Sequence, residues 1–179
     1  NQQQQPHAAS TTPHKQHTQD NTTIAVLRAD GAVELHRREP NASTTNAWYL
    51  VATMRHPNLP LRRLALLPAE PAAPRGRLLA TGLHGELAEF SMTHLGVDAS
   101  HDCQGGPCWA LAACAASRRA CVGCEDGGVA VFRVEPAPGP YGLVLLHRLP
   151  PQPQARVLSL SLGGAHLVAG AADGSVRLW

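Results

Sequence analysis

The sequence predicts an all-β fold, a partial β-propeller, and three observations support that prediction. Only 16% of the residues are charged, and the chain of 179 residues contains 16 Gly and 15 Pro. Such a composition favours many short strands and turns over long helices. The chain also repeats a thirteen-residue pattern four times, with Gly at the eighth position of each copy. In each copy an apolar strand precedes this Gly and a second strand follows it.

Each copy of the repeat has the pattern of a β-hairpin. The copies read IAVLRADGAVELH, LLATGLHGELAEF, ACVGCEDGGVAVF and LVAGAADGSVRLW, at residues 24–36, 78–90, 120–132 and 167–179. Asp-Gly between apolar runs is the strongest short hairpin signal, and it predicts a type I′ turn with positive φ at both central residues. The second copy has His in place of Asp, a residue also enriched at positive φ. The predicted turn residues are Asp30, Gly31, His84, Gly85, Asp126, Gly127, Asp173 and Gly174.

Further apolar runs flank the hairpins and extend the repeat to four strands. Runs at 59–68, 107–114 and 155–162 precede three of the hairpins, and runs at 48–53 and 141–147 follow two of them. The strand after the second hairpin is weakly marked, near 95–97. Four short antiparallel strands that recur every 42 to 54 residues indicate propeller blades, whose sheets bury their faces against each other.

The domain prediction follows from the extent of the repeat. Residues 22–179 are predicted to form about three and a half blades, as the N-terminal part of a longer propeller. Residues 1–21 read NQQQQPHAASTTPHKQHTQDN and have no hydrophobic period. They are therefore predicted to be a disordered polar tail.

The formal net charge of +2 is too small to argue nucleic-acid binding by itself. Two arginine pairs, Arg62-Arg63 and Arg118-Arg119, lie in or beside predicted loops. They are candidates for a rim that contacts RNA phosphates or a protein partner, and solvated loop charge is the alternative interpretation. The sequence has no apolar run of 18 residues, and we expect no membrane partner.

The residues with reactive side chains favour a non-enzymatic protein without metal or cofactor. Five cysteines lie between residues 103 and 124, and no secretory signal precedes them, which favours a reducing compartment. Cys121 and Cys124 form a CxxC on a predicted strand, where residues three apart face opposite sides of the sheet. Glu125 and Asp126 are adjacent carboxylates without a base or nucleophile set by the sequence. We therefore predict no catalytic, metal-binding or cofactor-binding residues.

The ends of the hairpins and the segment around Trp109 carry a resemblance to a known family. Asp-Gly followed by V-x-L-W in the fourth copy resembles a WD repeat, although His36, Phe90 and Phe132, which end the other three copies, are not followed by Asp. The run GGPCWALAAC…CVGCEDGGVAVF, with LLATGLHGELAEF before it and ARVLSLSL…HLVAGAADGS after it, resembles the cirhin family of WD-repeat proteins.

The resemblance implies a function. Members of that family are scaffold subunits of the small-subunit processome in the nucleolus, where pre-18S rRNA is processed. It implies as partners other processome proteins and the pre-rRNA and small nucleolar RNA complex, with direct RNA contact left open. The alternative is a general WD-repeat adaptor for protein interactions, in a ubiquitin ligase or a chromatin complex.

Overall fold

The computed structural model describes residues 23–38, 47–56, 60–73, 75–152 and 155–179. The predicted tail at 1–21 lies outside these residues, and the domain boundary at 22 stays a prediction. The described residues form the strands β1 (Thr23–Leu27), β2 (Val33–Arg38), β3 (Trp48–Met54), β4 (Leu61–Leu67), β5 (Arg77–Gly82), β6 (Glu86–Phe90), β7 (Val97–Asp102), β8 (Cys108–Cys114), β9 (Arg119–Cys124), β10 (Val129–Val134), β11 (Leu143–Leu149), β12 (Val157–Gly163), β13 (His166–Ala171) and β14 (Val176–Leu178).

These strands form four antiparallel sheets, which we name blades 1 to 4. Blade 1 has the order β1-β2-β3, blade 2 β4-β5-β6-β7, blade 3 β8-β9-β10-β11 and blade 4 β12-β13-β14. The four repeated segments are the hairpins β1–β2, β5–β6, β9–β10 and β13–β14. The first strands of blades 2, 3 and 4 lie side by side, with β8 in contact with both β4 and β12. This arrangement confirms the all-β, partial-propeller prediction.

The outer strand of blade 2 lies later in the chain than its weak pattern indicated. Strand β7 begins at Val97, and the residues before it form a turn in which Leu95 has a φ of 61°. The Ser91 hydroxyl stabilises this turn by accepting hydrogen bonds from the backbone N–H groups of Thr93 and His94. The sequence of β7 is VDASHD. Because this edge strand is mostly polar, no apolar run marks it in the sequence.

Three apolar cores hold the blades together, one between each pair of neighbouring sheets. Strand β5 shows how one sheet contributes to two of them. Leu78 and Ala80 pack toward blade 1, whereas Leu79 packs toward blade 3, because successive side chains on a strand face opposite sides. All six residues of β5 are buried. Its middle residues Leu78, Leu79 and Ala80 form the short apolar run expected of a strand buried on both faces, while Arg77 and Thr81 are buried polar residues.

The hairpin turns use glycine differently from the prediction. Gly31, Gly85, Gly127 and Gly174 have φ between 80° and 84°. The residues before them do not: the non-glycine residues with positive φ in the described part of the chain are Leu95, Gln104 and Arg118. The type I′ prediction for Asp30, His84, Asp126 and Asp173 is therefore wrong.

The observed turn has three loop residues instead of two. In blade 3 the Gly127 N–H donates to the Cys124 carbonyl at 3.2 Å, and the Cys124 N–H donates to the Gly128 carbonyl at 3.0 Å. This is a type I turn followed by a glycine bulge. The extra residue lets Asp126 keep a negative φ, and its Oδ1 accepts a hydrogen bond from the Gly128 N–H at 2.9 Å. Asp30 and Asp173 make the same contact with Ala32 and Ser175.

Three of the turn glycines also lie against the backbone that leads into the next blade. A Cβ atom on Gly127 would lie 2.2 Å from the Gln152 carbonyl oxygen, and one on Gly85 would lie 2.8 Å from the Gly106 carbonyl oxygen. A Cβ atom on Gly174 would meet nothing within 4 Å. The glycines of blades 1 to 3 therefore set how closely successive blades approach.

A buried ion pair adds a polar link between blades 2 and 3. The Arg77 Nε donates to Glu89 Oε1 at 2.5 Å and its Nη2 donates to Glu89 Oε2 at 2.7 Å. Arg77 also donates to the backbone carbonyls of Glu135 and Gly142, which lie in and near the loop between β10 and β11. Arg77 is 5% exposed and Glu89 is 1% exposed. The two charges thus satisfy each other while the guanidinium joins the blades.

The turn glycines provide a matched test of blade spacing. We expect Gly174→Ala to lower the free energy of unfolding by about 1 kcal/mol, the cost of a left-handed φ without glycine. Gly127→Ala carries the same φ cost and a backbone clash, and we expect a further loss of about 1 to 3 kcal/mol. Urea denaturation followed by circular dichroism measures both. Equal losses would contradict the contact between Gly127 and residue 152.

The Arg77–Glu89 pair predicts a non-additive double mutant. Arg77→Met leaves the Glu89 carboxylate buried without a counter-charge, and we expect a loss of about 3 to 5 kcal/mol in the free energy of unfolding. Adding Glu89→Leu removes that stranded charge, so the double variant is expected to be more stable than Arg77→Met alone. The same denaturation measurement tests this, and a double variant less stable than either single variant would contradict it.

Candidate interaction surfaces

A β-bulge interrupts the first strand of blades 2, 3 and 4 at the same position. The pairing with the second strand skips Arg62 in β4, Trp109 in β8 and Leu158 in β12. Each is the second residue of its strand. A bulge leaves one residue unpaired and redirects its side chain. The blades therefore present a cation, an indole and an aliphatic side chain at equivalent places beside the hairpin turns.

Trp109 is the centre of a polar cluster between blades 3 and 4. Its Nε1–H donates to Glu125 Oε2, and the Arg156 guanidinium lies 5.5 Å from the indole centroid. Arg156 Nη2 is also 3.3 Å from Glu125 Oε1. The cluster joins the bulge of β8, the turn of blade 3 and the segment that leads into β12. Because Glu125 accepts a hydrogen bond from Trp109 and forms an ion pair with Arg156, its role in the described fold is to connect these three segments.

The neighbouring carboxylate has a different partner. Arg148 Nη2 lies 2.9 Å from Asp126 Oδ1 and 2.7 Å from Asp126 Oδ2. Asp126 therefore fastens the hairpin turn to strand β11, while Glu125 faces the Trp109 cluster. The two adjacent carboxylates of the CEDG sequence diverge and do not converge on one centre.

The structure separates the two arginine pairs that the sequence suggested for one rim. Pro60 precedes β4, and its backbone lies against Gly31 in the turn of blade 1, which places Arg62 and Arg63 at the face formed by the hairpin turns. Arg118 and Arg119 lie at the other end of β8, which has seven residues. At about 3.3 Å per residue, the two ends of β8 are about 20 Å apart. The four arginines thus lie on opposite faces and form no common rim.

The two cysteines of the CxxC sequence face opposite sides of blade 3. Cys121 packs in the core toward blade 4, and Cys124 packs in the core toward blade 2. The described residues include no group of three or more His, Cys, Asp or Glu side chains placed to hold a metal ion. All five cysteines are free thiols. Cys121 and Cys124 are therefore core residues of two different interfaces.

Cys124 instead meets two cysteines that the sequence analysis did not group with it. Cys108 pairs directly with Cys124 across β8 and β9, and Cys103 lies in the same core. A hydrogen bond with Cys103, together with burial, raises the pKa of Cys108 to about 12. A hydrogen bond with Cys108 is the main cause that raises the pKa of the Cys124 thiol, and burial is the second. Burial raises the pKa of Cys121 to about 11.

The burial of these thiols predicts selective modification. A thiol with a pKa of about 11 is about 0.1% thiolate at pH 8, and the thiolate is the reactive form. We expect an aromatic disulfide reagent at pH 8 to modify one thiol rapidly, Cys114, which is partly exposed, and the other four after denaturation. Mass spectrometry identifies the modified residue. Rapid modification that persists in Cys114→Ser would contradict the prediction.

The described residues contain no helix with the length and apolar character needed to cross a bilayer. No protein-family model matches the chain.

Comparison with curated proteins finds relatives that share one description. The chain is 30% identical over 152 residues to the human U3 small nucleolar RNA-associated protein 4 homolog, a match that covers 84% of this chain and 20% of that protein. It is 34% identical over 99 residues to the Mus musculus homolog, covering 54% of this chain and 14% of that protein. A Schizosaccharomyces pombe protein of the same description is 30% identical over 105 residues. The chain thus spans a fifth or less of the length of these relatives.

Comparison with solved structures supports the fold. The crystal structure of the computationally designed Ika4 protein matches with a TM-score of 0.66, over 97% of this chain and 93% of the designed chain. The sequences are 16% identical, so this likeness concerns the fold alone. By sequence, the chain is similar over most of its own length to a segment of U3 small nucleolar RNA-associated protein 4.

Proposed function

We propose that this chain is a non-enzymatic scaffold of the small-subunit processome, acting in nucleolar pre-18S rRNA processing and ribosome biogenesis. The observation that carries the proposal is the 30% identity over 152 residues with the human U3 small nucleolar RNA-associated protein 4 homolog. The matching fungal protein extends the same similarity to a distant organism. The partners proposed are other processome proteins and the complex of pre-rRNA with small nucleolar RNA.

The fold supports a scaffold role. A propeller exposes two faces and several strand edges at once, so that different partners can bind the same rigid body. The two adjacent carboxylates of the CEDG sequence already have partners in the fold, since Glu125 binds Trp109 and Asp126 binds Arg148. These contacts connect blades and turns, which is what a framework for partner binding requires.

Affinity purification of the tagged chain from nuclear extract tests this proposal. We expect processome proteins and pre-18S RNA to be enriched at least about tenfold over the tag alone, and the tagged chain to accumulate in nucleoli. Phe132→Asp is the control, because Phe132 is fully buried between blades 2 and 3 and a charge there disrupts the fold. Partners that also bind this variant do not depend on the folded propeller.

Two outcomes of the purification would contradict the proposal. Recovery of a ubiquitin ligase or a histone complex in place of processome proteins would support the general adaptor instead. Recovery of the same proteins with Phe132→Asp would show that the enrichment is unrelated to the fold. Treatment with ribonuclease before elution separates partners held by protein contacts from those held through RNA.

A further inference from the structure

A groove of about 270 Å³ lies between blades 3 and 4, on the face opposite to the hairpin turns. Its position follows from Arg119, which begins β9, and from Gly164 and Ala165 in the turn between β12 and β13, all of which line it. We call it the blade 3–4 groove. Its apolar lining comes from both blades and includes Val131, Leu149, Leu162, Leu167 and Trp179.

One edge of the blade 3–4 groove carries an electrostatic imbalance. Arg119 lies directly opposite Arg133 in the β9–β10 pairing, two residues from Cys121 and Val131, which line the groove. Like charges directly opposite on neighbouring strands are destabilising. Arg133 Nε donates to Glu135 Oε1 at 2.5 Å, whereas no carboxylate in the described residues forms an ion pair with Arg119. His147 is a further basic group on the lining.

We propose that the blade 3–4 groove binds a short acidic segment of a protein partner. One large apolar side chain of that segment lies against the aliphatic and indole groups of blade 4, and a carboxylate lies beside Arg119. Arg119, which pairs with none of the described carboxylates, lies beside an apolar surface and supplies the charge complementarity for this ligand. The inference deepens the proposed scaffold function by stating the chemistry of one partner segment, and rests on that function.

The size and charge of the groove favour a peptide side chain over other ligands. A volume of about 270 Å³ lies below the roughly 300 to 1,000 Å³ typical of small-molecule sites, but accommodates one large side chain. An RNA strand would need cations spaced along its phosphates. On the groove's own face Arg118 and Arg133 are paired with Glu70 and Glu135, and Arg62 and Arg63 lie on the opposite face.

Nuclear magnetic resonance titration of the ¹⁵N-labelled chain tests the inference. The probe is a synthetic peptide of sequence DEFED, and the control peptides are DESED, without the apolar side chain, and KKFKK, with reversed charge. We expect DEFED to shift the Trp179 indole and Ala165 amide signals, and to bind at least about tenfold more tightly than either control peptide.

Three variants relate the binding to the blade 3–4 groove. Arg119→Glu replaces the cation at the groove edge with an anion, and Ala165→Trp fills the groove from an exposed turn. Each is expected to weaken DEFED binding at least about tenfold. Arg62→Glu makes the same charge change on the opposite face and is expected to leave the affinity within about twofold. The amide spectrum of each variant verifies that its fold is retained.

Several results would overturn the inference: no shift of the groove signals, equal affinity for DEFED and DESED, or no effect of Arg119→Glu and Ala165→Trp. An oligouridylate that shifts the groove signals and binds with higher affinity than DEFED would also overturn it. Failure of the scaffold function is seen separately, as loss of processome proteins from the affinity purification while DEFED still binds the groove. Conversely, retained processome association without DEFED binding refutes the groove assignment alone.

Discussion

The burial of both faces of the central sheets is the constraint on which the rest of this structure depends. Backbone hydrogen bonds join strands within a blade, whereas apolar packing, with side-chain links such as those of Arg77, joins one blade to another. Blades 2 and 3 each contribute to two cores, and alternation along a strand divides the side chains between them. Blade 4 shows the same rule from one side: Leu167 and Ala169 are buried, while Val168 between them is 38% exposed.

The hairpin turns fix where the next blade begins, and so they determine which residues lie on each face of the structure. The glycines of blades 1 to 3 let each turn lie against the backbone leading into the next blade. That contact places the start of the first strand of blades 2, 3 and 4, and so the bulged residues Arg62, Trp109 and Leu158, at the same face. The opposite face carries the turns between the first and second strands of blades 2 to 4, with Arg119 and the blade 3–4 groove. The two faces thus differ in chemistry because of where the strands begin and end.

The proposed scaffold function and the proposed groove ligand depend on different observations. The first depends on sequence similarity to a segment of U3 small nucleolar RNA-associated protein 4. The second depends on the apolar space between blades 3 and 4 and on two opposed arginines at its edge. A rigid framework with chemically distinct faces suits a protein that holds several partners in a fixed relation.

Local sequence alone determined the repeat, the positions of the four hairpins and the need for glycine at each turn, because these features arise within a few neighbouring residues. It did not determine the turn type, since Asp-Gly suits both the type I′ turn and the observed turn with a glycine bulge. The outer strand of blade 2 is only weakly marked, near 95–97, whereas β7 spans Val97–Asp102, because an edge strand with polar residues has no periodic apolar signal.

Only the tertiary structure decided which side chains meet across distance. Register brings Cys108 opposite Cys124 and Arg119 opposite Arg133, and the bulges change that register by one residue. The packing of blades buries Arg77 with Glu89, and it places Arg62 and Arg119 on opposite faces. A sequence lists these residues along one dimension, whereas their pairing is set by how strands align and how sheets stack, which depends on the whole core at once.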